Sequence, residues 1–134
     1  MPKFNEMDSK VTLSQQMETE ISPVVLINRF TVAPEEVDQL LRAWAADASF
    51  LKTQPGYISA QLHRGIGGSC CFMNIAVWES VAHFKQAFMH PTFQAHLLPT
   101  EHSSVAAPFL ESRSPKYLCR RANCQKAGHT SGWR

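Results

Sequence analysis

The stretch "YISAQLHRGIGGSCCFMNIAVW", residues 57 to 78, decides the fold. "YISAQLHR" (57 to 64) and "SCCFMNIAVW" (69 to 78) are short runs rich in β-branched and aromatic residues, and "GIGG" between them is a turn. Together they predict a β-hairpin. The second run is apolar enough for a buried strand, yet it carries Asn74, and a buried amide costs stability unless something satisfies it.

Upstream, "PVVLINRFTV" (23 to 32) reads as a strand with apolar residues on both faces. Val24, Leu26, Phe30 and Val32 share a face with Asn28, while Val25 and Ile27 point the other way. "APEEVDQLLRAWAADASFLKTQPG" follows with a helical spacing of Val37, Leu40, Leu41, Trp44, Ala48 and Leu51. Pro34 suits its first turn, Glu35 and Glu36 suit the positive end of its dipole, and Pro55-Gly56 ends it. Downstream of the hairpin, Ser80 is placed to cap "VAHFKQAFMH", Pro91 to open "PTFQAHLL", and "SSVAAPFLES" (103 to 112) to form an edge strand that tolerates Pro108.

The order β-α-β-β-α-β is the ferredoxin-like split pattern, an α+β fold with an antiparallel sheet. The first and third strands are expected side by side, as parallel neighbours, with Asn28 and Asn74 at corresponding positions. Two helices cover one face of such a sheet. The apolar residues on the other face predict a second copy of the chain as its cover, hence a homodimer and a dimeric α+β barrel.

At 134 residues and 44% hydrophobic content the chain suits one domain with a real core. It divides into an N-terminal arm (1 to 22), a globular domain (23 to 112) and a basic tail (113 to 134). In the arm, Leu13, Met17 and Ile21 recur at helical spacing, which is sparse for a packed helix. The tail holds six basic and no acidic residues of the 13 and 11 in the chain, so the net charge of +2 becomes −4 without it. That charge could attract nucleic acid or acidic surfaces, but no stacking-aromatic pattern accompanies it, and no nucleic-acid partner is expected. Absence of a long apolar run predicts no membrane partner, and the absence of a signal-like start predicts a cytoplasmic location. Cysteine usage agrees: adjacent Cys70 and Cys71 cannot form a normal bridge on a strand. Cys119, Cys124 and His129 are spaced too widely for a typical structural zinc, so no metal is expected.

The segments "INRFTV", "QPGYISAQLHR", "NIAVWES" and "HFKQAFMHPTFQAHL" together resemble the antibiotic biosynthesis monooxygenase family, over about residues 23 to 112. The resemblance implies a small dimeric α+β barrel. The family includes cofactor-free oxygenases of aromatic polyketides and haem-degrading enzymes. Similarity to the anthrone-oxidising members implies that Asn74 and Trp78 shape the substrate site. The tyrosine and arginine of those members fall here on Phe84 and about Leu97. Similarity to the haem-degrading members puts their asparagine on Asn28, and their axial histidine and ring-contacting tryptophan near Leu97 and Ala87, with His96 one residue away. An offset of one residue turns a helix by about 100°.

Physical reasoning on the residues leads to the same candidates. Asn74 and Trp78 share a strand face, roughly 13 Å apart, and could bracket a multi-ring substrate. Dioxygen reacts slowly with closed-shell organics, so an oxygenase without metal or flavin needs an electron-rich substrate and N–H donors for its developing oxyanion. Asn28, Asn74 and Trp78 supply donors, and Phe30, Phe72, Phe84 and Phe88 supply apolar walls. His63 and His96, then His90, are the candidate proton acceptors. The expected function is cofactor-independent oxidation of a phenolic or enolisable aromatic by O2, with haem-dependent chemistry and non-catalytic ligand binding as alternatives.

Overall fold

A computed structural model describes residues 5 to 96 and 105 to 112. The sheet contains β1 (Val24–Thr31), β2 (Tyr57–Arg64), β3 (Cys71–Trp78) and β4 (Val105–Ser112), in the order β2-β3-β1-β4. Every neighbouring pair is antiparallel. This corrects the expectation that β1 and β3 run parallel. The helical crossover brings β2 back in the direction of β1, and the hairpin then reverses β3, so β3 enters between them antiparallel to both.

Register follows the alternation read from the sequence. Asn28 lies directly opposite Asn74, Leu26 opposite Ala76, and Phe30 opposite Phe72. Burial along β3 alternates, with Phe72, Asn74, Ala76 and Trp78 buried on one face. In the hairpin turn, Gly67 and Gly68 have φ of +72° and +76°, a conformation that disfavours L side chains. β4 is an edge strand, so the sheet accommodates Pro108 there.

The helical layer begins with α1 (Leu13–Gln16) and continues with α2 (Val37–Leu51), α3 (Val81–Phe88) and α4 (Pro91–His96). The expected start of the second helix at Pro34 is a 3-10 turn, Pro34–Glu36, that tightens the entry to α2. Leu41, assigned to the apolar stripe, is 38% exposed, whereas Leu40 packs inward. Ser80 caps α3 as expected, its Oγ accepting from the His83 amide at 3.1 Å.

The arm is tied to the domain. Thr12 and Gln15 form a capping box on α1, which places Leu13 in the main core at 5% exposure and Met17 against it. Gln16 Oε1 accepts from the Leu110 amide at 3.0 Å, and the Ile21 carbonyl accepts from the Val81 amide at 3.0 Å. Ile21, the third residue of the expected stripe, is exposed.

The core is divided. One cluster gathers Leu13, Val24, Leu26, Ala76, Trp78, Val81, Phe84, Ala87 and Leu110; a smaller one gathers Val32, Val37 and Phe72, with Phe30, Leu40 and Leu62 packed on it. Between them on the sheet lies the cross-strand row that contains Asn28 and Asn74. Two amides interrupt the apolar residues that β1 and β3 place on this face.

Candidate active site

The amide row is built by strand parity and register. Opposed residues of an antiparallel pair project to the same side with Cβ atoms about 5 Å apart, so Asn28 and Asn74 are immediate neighbours on the helix-covered face. Leu62 flanks Asn74 on β2. Asn74 is 8% exposed and is the buried polar residue of the described core.

α2 reaches down to it. Trp44 donates its indole Nε1–H to Asn74 Oδ1 at 3.1 Å. An indole N–H can only donate, so the bond determines which end of the amide faces Trp44. The Asn74 Nδ2 group is then left with its N–H donors uncommitted among the described residues. Across the row, Asn28 Oδ1 is buried and has no hydrogen-bond partner among those residues. An unsatisfied buried acceptor costs about 1–3 kcal/mol. Among the described residues the row thus sets an unpartnered acceptor beside an amide donor, with Leu62 at its β2 end.

Trp78 lies two rows away on the same face and is 1% exposed, enclosed in the larger cluster. Tyr57 meets its ring edge-on at 5.5 Å and Phe84 at 6.0 Å, and its Nε1 is also buried without a partner among the described residues. The four phenylalanines divide around the amides. Phe30 and Phe72 belong to the smaller cluster; Phe84 and Phe88 belong to the larger, with ring centroids 5.7 Å apart, and Phe93 extends the series at 5.7 Å from Phe88.

His63 and His90 do not join the row. His63 pairs with Met73 and therefore projects from the opposite face of the sheet, where it is exposed. His90 packs against Phe50 with ring centroids 5.0 Å apart and planes tilted by 57°, and its Nδ1 accepts from the Thr92 amide at 3.1 Å. His96 closes α4, and its side chain is outside the described atoms, as are Leu97 and the tail residues Cys119, Cys124 and His129. Ala87, where haem-degrading relatives would carry a tryptophan, is 1% exposed in the core. No group of three or more potential metal ligands occurs among the described residues.

Trp44 is the site residue that the sequence reading assigned only to the helix stripe. Its signal was present: a large side chain with one polar atom, on a helix facing a strand that carries an unexplained buried amide. Linking the two needs the distance between α2 and β3, which no sequence pattern states.

The opposite sheet face is apolar at its centre. Val25 is buried, Ile27, Ile75 and Val77 are half-buried, and Met73 is 38% exposed. Arg29 and His63 lie at its margin. No helix among the described residues is long and apolar enough to cross a membrane.

Residues 23–97 match the family model described as antibiotic biosynthesis monooxygenase. The chain is 35% identical over 111 residues to deoxynogalonate monooxygenase of Streptomyces nogalater, covering 81% of this chain and 86% of that protein. Among solved structures, a protein from Shewanella loihica PV-4 superposes with a TM-score of 0.60 at 33% identity, covering 69% of this chain and 95% of the other. SnoaB from Streptomyces nogalater, a cofactor-independent oxygenase, superposes with a TM-score of 0.55 at 30% identity over 71% of this chain and 98% of its own.

Proposed function

Because the chain belongs to the antibiotic biosynthesis monooxygenase family, we propose that it oxidises an enolisable, hydroxylated polycyclic aromatic with O2 and without a cofactor, using the Asn28–Asn74 row as its polar anchor. The observation that carries this reading is that, among the described residues, Asn28 Oδ1 has no donor and lies next to an Asn74 Nδ2 with no acceptor. A ligand with a hydroxyl beside a ring oxygen answers both: the hydroxyl donates to Asn28, and the ring oxygen accepts from Asn74. Similarity to SnoaB supports the absence of a cofactor.

The chemistry follows from charge. Loss of a proton from the activated ring CH2 gives a carbanion whose charge rests largely on the ring oxygen as an enolate. An N–H donor aimed at that oxygen stabilises the anion more than the neutral ketone, and it does so most in a water-poor setting. The carbanion supplies one electron to O2, and recombination forms a C–O bond as a hydroperoxide. Loss of water from the hydroperoxide leaves a new carbonyl. The CH2 carbon thereby becomes C=O while O2 is reduced, one atom entering the product and the other leaving as water.

Phe30 and Phe72 on one side and Phe84 and Phe88 on the other give the amide row apolar flanks. The apolar opposite face of the sheet supports a homodimer in which two sheets pack face to face.

Dithranol, a dihydroxyanthrone, tests the reaction. Metal-free protein should consume O2 with dithranol well above the spontaneous rate, forming one quinone per O2. Asn74→Ala should reduce that excess roughly 100-fold, the usual consequence of losing one oxyanion donor. Uptake at the spontaneous rate, or an unaltered rate in the variant, contradicts the reading for this substrate class.

A further inference from the structure

We propose that Trp44 is a positioning residue: its indole N–H holds the Asn74 amide in the one orientation that turns Nδ2 toward the substrate oxygen. The proposal rests on the function proposed above and adds a residue outside the strand motif.

A primary amide has two ends of nearly equal size and opposite polarity, and rotation about the final torsion exchanges them. Nothing in the shape of an apolar site selects one end. Trp44 Nε1–H does select, because it donates and can be satisfied only by Oδ1, at 3.1 Å. The neighbouring amide creates the competing arrangement. Asn28 Oδ1 lies buried and without a partner among the described residues, directly across the strand pair. Without Trp44, Asn74 can turn Nδ2 toward that oxygen, and the two side chains then satisfy each other. Such a pairing removes both the donor and the acceptor that a substrate would use. The Trp44 bond therefore keeps the row open.

The placement of Trp44 suits this role. It stands on α2, a 15-residue helix, so the donor is carried by a regular element rather than by a loop. Trp44 is half-buried and the bond is partly shielded, which strengthens it relative to one in water.

Trp44→Phe removes the donor and keeps an aromatic ring. In the full-length, 15N-labelled protein, the Asn74 side-chain amide resonances should shift in this variant. With dithranol, kcat should fall about 10- to 100-fold while KM stays within about threefold, since the lost interaction acts mainly on the developing enolate. Asn74→Asp provides the complementary arm. A carboxylate still accepts from Trp44 but donates nothing, so the slow-exchanging indole N–H signal of Trp44 should persist while kcat falls. A Trp44→Phe protein whose Asn74 amide signals are unchanged overturns the proposal, whatever its rate, because the ring then acts only by packing. If Trp44→Phe does not fold, Asn74→Leu decides the same point: faster exchange of the Trp44 indole N–H supports the bond, and unchanged exchange overturns it. Should the wild-type protein not turn over dithranol, the functional reading falls, and the amide and indole signals still decide whether Trp44 orients Asn74.

Discussion

At the scale of single residues, the informative feature is an unmet requirement. Asn28 places an oxygen in the interior and leaves it without a donor among the described residues, a defect that folding alone has no reason to retain. Asn28→Leu should therefore separate stability from activity. Removing the unpaired acceptor and adding apolar contact should raise stability by about 1 kcal/mol, seen as a rise of roughly 3 °C in Tm. The same variant should lose most turnover of dithranol. A drop in Tm would mean that Asn28 is satisfied in solution and serves the fold. Parity made Asn74 and Trp78 legible from the sequence as one face, because side-chain direction on a strand depends only on odd or even position; Asn28 comes alongside through the topology, by an antiparallel rather than the expected parallel pairing. The histidines were harder. His63 has the right chemistry, but it stands opposite Met73 and so on the wrong side of the sheet, a relation set by hairpin register rather than by residue type.

At the scale of elements, the hairpin and the two helices bounded by Pro34 and Ser80 follow from local signals: turn glycines, helix dipole charges and a capping serine. The N-terminal segment does not. Its stripe is too sparse to predict packing, yet α1 buries Leu13, and Gln16 satisfies an amide on the edge strand β4. That contact occupies a backbone donor that an edge would otherwise present to another chain. Leu13→Ala should cost about 2–4 kcal/mol, as for a buried leucine whose site collapses only in part. Hydrogen exchange should show the Leu110 amide losing protection along with α1. A loss below about 0.5 kcal/mol with Leu110 still protected would show that residues 5 to 22 are not held as described.

At the scale of the whole molecule, the apolar outer face of the sheet supports pairing with a second copy. Ile75 lies at its centre, opposite Ile27. Wild-type protein should sediment as a dimer, and Ile75→Asp as a monomer with unchanged far-ultraviolet circular dichroism, because a charge buried in an apolar interface without a partner is strongly unfavourable. A monomeric wild type would remove the homodimer reading and leave the inner-face site intact. Periodicity and short-range turn and cap chemistry are enough for the α+β class, the element order, and a shared strand face for Asn74 and Trp78. Three further matters required the tertiary structure. It showed that β3 enters antiparallel to β1, that the amide row divides the core into two clusters, and that Trp44 bonds Asn74. Each is a relation between segments distant in the chain, created when the crossover and hairpin bring them together, and local propensity carries no record of such distances.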